Sequence, residues 1–155
     1  MKKGIVVLNG PGGCGKDTFV KTCRKLLRKK KIKVHNISSV DAVKKIARKM
    51  GWDGTKNVHG RKFLSDLKKL WIDFNDGPTN VIVRQLNGIK AGVVFVHIRE
   101  AEEIEKLVKR FPSTITLHVF REVGKAGNRS DDETDVYKYS HRVSNNGTLK
   151  ELESE

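Results

Sequence analysis

One segment constrains this chain more than any other: Gly10-Pro11-Gly12-Gly13-Cys14-Gly15-Lys16-Asp17-Thr18. Ahead of it, Gly4, Ile5, Val6, Val7 and Leu8 form the continuous apolar run of a strand buried on both faces. Behind it, Phe19, Val20, Cys23, Leu26 and Leu27 recur at the three-to-four spacing of one helical stripe. A glycine-rich loop between a strand and a helix is suited to phosphate. Glycines reach the positive φ that turns successive N–H groups inward, and the helix start adds unpaired donors and the positive end of a dipole. Lys16 adds a mobile charge for outer phosphates, and the Thr18 hydroxyl is placed for an inner one. Gly10, Pro11, Gly12, Gly13, Cys14, Gly15, Lys16, Asp17 and Thr18 are therefore expected to hold ATP. Asp17 stands where the pattern Gly-x₄-Gly-Lys-Ser/Thr has a hydroxyl ligand for Mg²⁺. A carboxylate is a harder, charged oxygen ligand, so Asp17 is expected to hold the ion directly or through water. An Asp that only complements the helix dipole is the other reading.

The remaining pattern alternates. Residues 32–37 read as a second strand. Val43, Ile46, Ala47 and Met50 read as a helix ending at Gly51. Phe63, Leu64, Leu67, Leu70, Trp71 and Phe74 mark another, and Val81, Ile82, Leu86 and Ile89 a third, stopped near Gly88. Residues 93–98 are a β-branched run, followed by a helix through Ile104, Leu107 and Val108, then a strand over 114–120. Residues 122–135 lack apolar periodicity and read as a long lid loop. Residues 137–143 alternate weakly as a last strand, and Thr148-Leu149-Lys150-Glu151 is a capping box opening a short helix. The 155 residues fit a single domain. Strands alternating with helices predict an α/β fold, a P-loop NTPase three-layer sandwich with a parallel sheet of about five strands covered on both faces.

No apolar stretch is long enough to span a bilayer, and the apolar run after Met1-Lys2-Lys3 is too short for the core of a secretory leader. Cys14 and Cys23 lack metal-ligand spacing and read as reduced thiols, which with the missing leader predicts a cytoplasmic protein. The charge is unusual: 32 Lys and Arg against 18 Asp and Glu give +14. Such a surface attracts polyanions. Weak, non-specific nucleic-acid binding and an enzyme handling several phosphates both fit. The run Arg24-Lys25 and Arg28-Lys29-Lys30-Lys31 sits at a helix end, where cations also suit the dipole. The basic runs have no interleaved aromatics, against a single-strand binder. His35, His59, His97, His118 and His141 show no ligand spacing and read as structural; Trp52 and Trp71 read as core or pocket-lining aromatics.

Gly-Lys-Asp-Thr is a narrow signature, and with its surroundings the chain resembles the phage and bacterial deoxynucleoside monophosphate kinase family. More loosely it is similar to the animal phosphomevalonate and dephospho-coenzyme A kinases. Val43-Lys44-Lys45-Ile46-Ala47 and Gly51-Trp52-Asp53-Gly54 resemble the family's acceptor-side helix and the turn ending it. Gly60-Arg61-Lys62-Phe63-Leu64-Ser65-Asp66-Leu67 resembles its arginine-led helix facing the acceptor phosphate. Val96-His97-Ile98-Arg99 with Glu103 is similar to its Asp-x-Arg-x-x-x-Glu strand end, and Asn145-Asn146-Gly147-Thr148 to its Asn-Asp-Gly-Ser/Thr turn against the base. His97 and Asn146 stand where that pattern has Asp.

The resemblance implies a kinase that moves the γ-phosphoryl of ATP, with Mg²⁺, onto a (deoxy)nucleoside monophosphate. Arg61 would pair bidentately with the acceptor phosphate. Arg99 would join it at the carboxyl edge of the sheet, with an ion pair to Glu102 or Glu103 as the other reading. Asn146 and Gly147 would lie against the base. Arg121 and Arg129 flank the lid and would close over the transferring group beside Lys16. The Asp131-Asp132-Glu133 cluster has no assigned role. A related kinase with another phosphorylated small-molecule acceptor stays open, as does a non-catalytic, regulatory nucleotide-binding protein with a nucleic-acid-binding basic face. No oligomeric state is readable.

Overall fold

The computed structural model describes residues 3–121, 136–148 and 151. The chain divides into two compact units, Met1–Asn36 with Ile89–Glu155, and Ile37–Gly88.

The first unit is built around a parallel sheet. Its central strand β1 (Lys3–Asn9) runs into the glycine loop and then into α1 (Lys16–Lys29). Strand β2 is Val34–Ser38, β3 is Gly92–His97, β4 is Ile115–Phe120 and β5 is His141–Ser144. The five strands lie in the order β2-β3-β1-β4-β5. β1 pairs in parallel with β3 (Leu8 opposite His97) and with β4 (Asn9 opposite His118). Helix α5 (Ala101–Arg110) links β3 to β4. The fold is thus the expected α/β class with helices on both faces of a five-stranded parallel sheet.

Alternation along the strands decides what each face carries. Leu8, Phe95, Leu117 and Val119 form one cluster with Val20 and Cys14, joined by the half-buried Phe19 and Cys23 of α1. Phe19 meets Phe95 edge-on at 6.1 Å between centroids. The apolar stripe of α1 read from the sequence therefore closes the face carrying Leu8. Val7, Val94 and Val96 point the other way and are also fully buried, so both faces are covered. Burial pushes the Cys23 thiol up from its ordinary value, keeping it a neutral thiol.

The last strand is shorter than residues 137–143. Ladder pairing starts at His141, opposite Leu117. Just before it, Ser140 takes over with its side chain: its hydroxyl accepts from the Thr116 N–H and donates to the Thr116 carbonyl, each at 2.9 Å. The Ser140 N–H in turn donates to the Thr116 hydroxyl at 2.9 Å. Side-chain bonds replace the backbone pairing there, so the alternation of Tyr137 and Tyr139 belongs to an irregular strap. The capping box makes its two reciprocal bonds, Thr148 N–H to Glu151 at 2.5 Å and Glu151 N–H to the Thr148 hydroxyl at 3.4 Å. These bonds hold the Glu151 carboxyl below the usual carboxylate range. Residues 122–135, and Arg129 with them, lie outside the described residues.

The second unit is helical: α2 (Ser39–Lys49), α3 (Val58–Asn75) and α4 (Gly77–Gly88). Val43 and Ala47 of α2 and Leu64 of α3 make its centre, with Leu67 and Trp71 packed against them. The stripe read on α3 splits. Leu64 and Trp71 face inward, whereas Leu70 and Phe74 are 68% and 80% exposed. Lys68 occupies the inward stripe, 8% exposed, and donates to the Ser39 hydroxyl at 3.1 Å. Trp71 lies so close over Gly77 that a Cβ there would strike its indole ring, which fixes how α3 turns into α4. No helix among the described residues is long and apolar enough to cross a membrane.

Candidate phosphate-binding site

The glycine loop leaves β1 at its carboxyl end, between β3 and β4, where α/β sheets bind ligands. Gly10 has φ 145°, and a Cβ there would run into the Val119 carbonyl of β4. Gly15 has φ 94° and forms the N-cap of α1 with no side-chain cap. The N–H groups opening α1 thus have no capping side chain in front of them, the condition under which a helix start receives an anion.

Lys16 folds back over the loop. Its ammonium donates to the Gly10 and Pro11 carbonyls at 2.6 Å each and lies 3.6 Å from the Cys14 sulfur. Its charge is therefore held at the loop's centre, among carbonyls that a phosphate oxygen would replace. Asp17 is exposed on the first turn of α1, and Thr18 beside it is half-buried.

Two asparagines brace the loop from behind. Asn9, 1% exposed, accepts from the Gly10 N–H at 2.8 Å and donates to the Arg99 carbonyl at 2.9 Å and the Tyr139 hydroxyl at 2.6 Å. The Tyr139 ring stacks on His118 at 4.9 Å, and His118 is the register partner of Asn9 on β4. From the other side, Asn145 follows β5 and donates its side-chain amide to the Cys14 carbonyl at 2.8 Å. Its backbone N–H continues the sheet by donating to the Phe120 carbonyl at 2.8 Å. A Cβ at Gly15 would strike the Asn145 amide. Sequence reading passed over Asn9 and Tyr139, and took Asn145 only as part of the turn expected against the base, not as a brace on the loop. The available signal was a polar residue closing the apolar run of β1 immediately before Gly10.

The other site residues read from the sequence fall as follows. Arg99 is exposed two residues past β3, its carbonyl bound by Asn9. Arg121 is exposed directly after β4, and Asn146 and Gly147 are exposed just past Asn145. All four follow the carboxyl ends of strands in the unit that holds the glycine loop. His97 is tied by Nε2 to the Asn36 side chain at 2.7 Å. Arg61 belongs to the helical unit, exposed on the first turn of α3, where its Nε donates to the Lys56 carbonyl at 2.8 Å. The helix start is fixed by Asn57, whose side chain accepts from the Gly60 N–H at 2.7 Å. Among the described residues, no three His, Cys, Asp or Glu gather as a metal cluster.

No protein-family model matches the chain, and no curated protein matches it. Solved structures do. The APS kinase CysC of Mycobacterium tuberculosis, in complex with AMPPNP and APS, superposes with a TM-score of 0.53 at 13% identity, over 99% of this chain and 94% of that one. An unliganded sugar kinase from Janibacter sp. HTCC2649 superposes with a TM-score of 0.53 at 13% identity, over 99% and 91%. At such identities the likeness is one of fold.

Proposed function

We propose that this chain is an ATP-dependent phosphotransferase whose acceptor is a (deoxy)nucleoside monophosphate. The observation that carries the reading is the glycine loop at the carboxyl end of the central strand, with the Lys16 ammonium held at its centre. The fold it shares with an APS kinase structure containing AMPPNP supports the reading. A cytoplasmic location, where ATP is available, goes with it.

In this reading the loop N–H groups and the α1 start bind the phosphates of ATP, and Lys16 exchanges loop carbonyls for phosphate oxygens. Asp17 fits Mg²⁺: a single exposed carboxylate beside a phosphate site suits an ion that keeps several waters and takes its other ligands from the nucleotide. The ion would supply charge neutralisation across the phosphates. Phosphoryl transfer requires little covalent work from protein, so the task of the residues is alignment and charge. Arg121 is assigned to the transferring group, Arg99 to the acceptor phosphate, and Asn146 with Gly147 to the base. The roles of Arg61 at the acceptor and Arg129 in a lid rest on the sequence resemblance alone.

A second reading adds weak nucleic-acid contact. It is favoured by α1, whose Lys21, Arg24, Lys25, Arg28 and Lys29 are all exposed.

The decisive experiment measures ADP release against a panel of nucleoside monophosphates and other small acceptors. Turnover with a monophosphate is expected, and Lys16→Ala should abolish it while melting as the parent does. Retained turnover in that variant would remove Lys16 from the mechanism, and the absence of any accepted monophosphate would overturn the substrate assignment.

A further inference from the structure

Resting on the phosphotransferase reading, we propose that Asn9 is a positioning residue that locks the donor-phosphate loop to the turn carrying Arg99, with the Tyr139 hydroxyl as its third arm. The chemistry of the contacts fixes the orientation of the amide. The Gly10 N–H can only donate, so Oδ1 must face it; the Arg99 carbonyl can only accept, so Nδ2 must face that side. The second Nδ2 proton goes to the Tyr139 oxygen at 2.6 Å. One buried side chain thereby commits one acceptor and two donors in three directions. Asp matches its size but lacks the donors.

The arms lead to parts with different tasks. Gly10 opens the loop assigned to ATP, and Arg99 is assigned to the acceptor. Tyr139 is held by stacking on His118 and by its edge contact with Tyr137 at 5.1 Å. The strap beneath it is pinned at Ser140 to Thr116. A Cβ at Gly10 would strike the Val119 carbonyl, so the loop packs closely against β4 at this point. The Asn9 amide ties this part of the donor loop to the acceptor turn. In-line transfer is sensitive to the register between the two, since a displacement of about 1 Å costs roughly 10²-fold in rate.

The test uses the full chain with Asn9→Asp and Tyr139→Phe. Both are close in size to the parent; Asn9→Asp keeps the Gly10 acceptor but sets an oxygen against the Arg99 carbonyl. In Asn9→Asp, kcat should fall about tenfold to a hundredfold while KM for ATP stays within about threefold, because the other loop N–H groups still bind phosphate. Tyr139→Phe should give a smaller fall in kcat and faster hydrogen exchange at the Gly10 amide, at an unchanged melting temperature. An Asn9→Asp protein with parental kcat, or a loss of activity wholly matched by loss of folded protein, overturns the proposal. If the parent itself releases no ADP, the phosphotransferase reading fails separately, and exchange at Gly10 alone decides: unchanged exchange in both variants overturns the anchor.

Discussion

Lys16 and Asp17 show what one position can disclose. The roles proposed for them rest on distance along the chain to Gly15, because a loop followed by a helix start leaves little choice about where the next side chains go. The loop conformation was legible for that reason. What Lys16 touches was less so: its bonds to the Gly10 and Pro11 carbonyls depend on the loop curling around it. For Asn9 the only signal was its place at the end of an apolar run, because its partners lie 90 and 130 residues away and only the sheet order brings them to it. For Asp17 the expected outcome is specific. Asp17→Asn removes the charge that would hold Mg²⁺, so the magnesium midpoint for turnover should rise several-fold while melting changes by less than about 0.5 kcal/mol, as for an exposed substitution. An unchanged magnesium titration would leave Asp17 as a complement to the helix dipole.

Elements were readable where periodicity alone defines them, and misread where a side chain stands in for backbone. The strands β1 and β3 are short β-branched apolar runs buried on both faces, and β4 alternates apolar residues with Thr116 and His118, which are buried too. The last strand was drawn too long because Ser140 and Thr116 close that end of the sheet through hydroxyls, which alternation does not register. On α3 the stripe held Lys68, which points inward and donates to Ser39 on α2. The turn after β5 is an element of the same kind, since Asn145 joins the sheet through its backbone and the glycine loop through its side chain. Asn145→Ala should lower stability by about 0.5–1.5 kcal/mol, the net value of one hydrogen bond. It should also raise KM for ATP through loss of the brace on the Cys14 carbonyl. Urea unfolding and initial-rate kinetics check the two parts independently. Unchanged ATP kinetics would make Asn145 a purely structural closure.

Across the whole molecule the excess of +14 is uneven. Between Asp17 and Asp41 there is no acidic residue, and the cations there line the exposed side of α1 and the turn after it. The apolar stripe of α1 is turned into the core, so its outer face offers charge without apolar side chains to insert in a bilayer. Association with nucleic acid should therefore be weak, indifferent to sequence and steeply salt-dependent. Engaging about three to four phosphates would give a slope of roughly −3 in log K against log salt. Fluorescence anisotropy with two unrelated duplexes at rising salt measures this, and a tight complex with only one of them would contradict it.

The steric surroundings of Gly10 and Gly15 carry a consequence for descent. Side chains at these positions are excluded by the protein's own Val119 carbonyl and Asn145 amide, with no nucleotide involved. A descendant would be under pressure to keep both glycines for the loop to hold this conformation, whatever the loop binds. In such a lineage the glycines would be kept longest, Lys16 would still be tied to the Gly10 and Pro11 carbonyls, and the exposed Asp17 would be the first to drift.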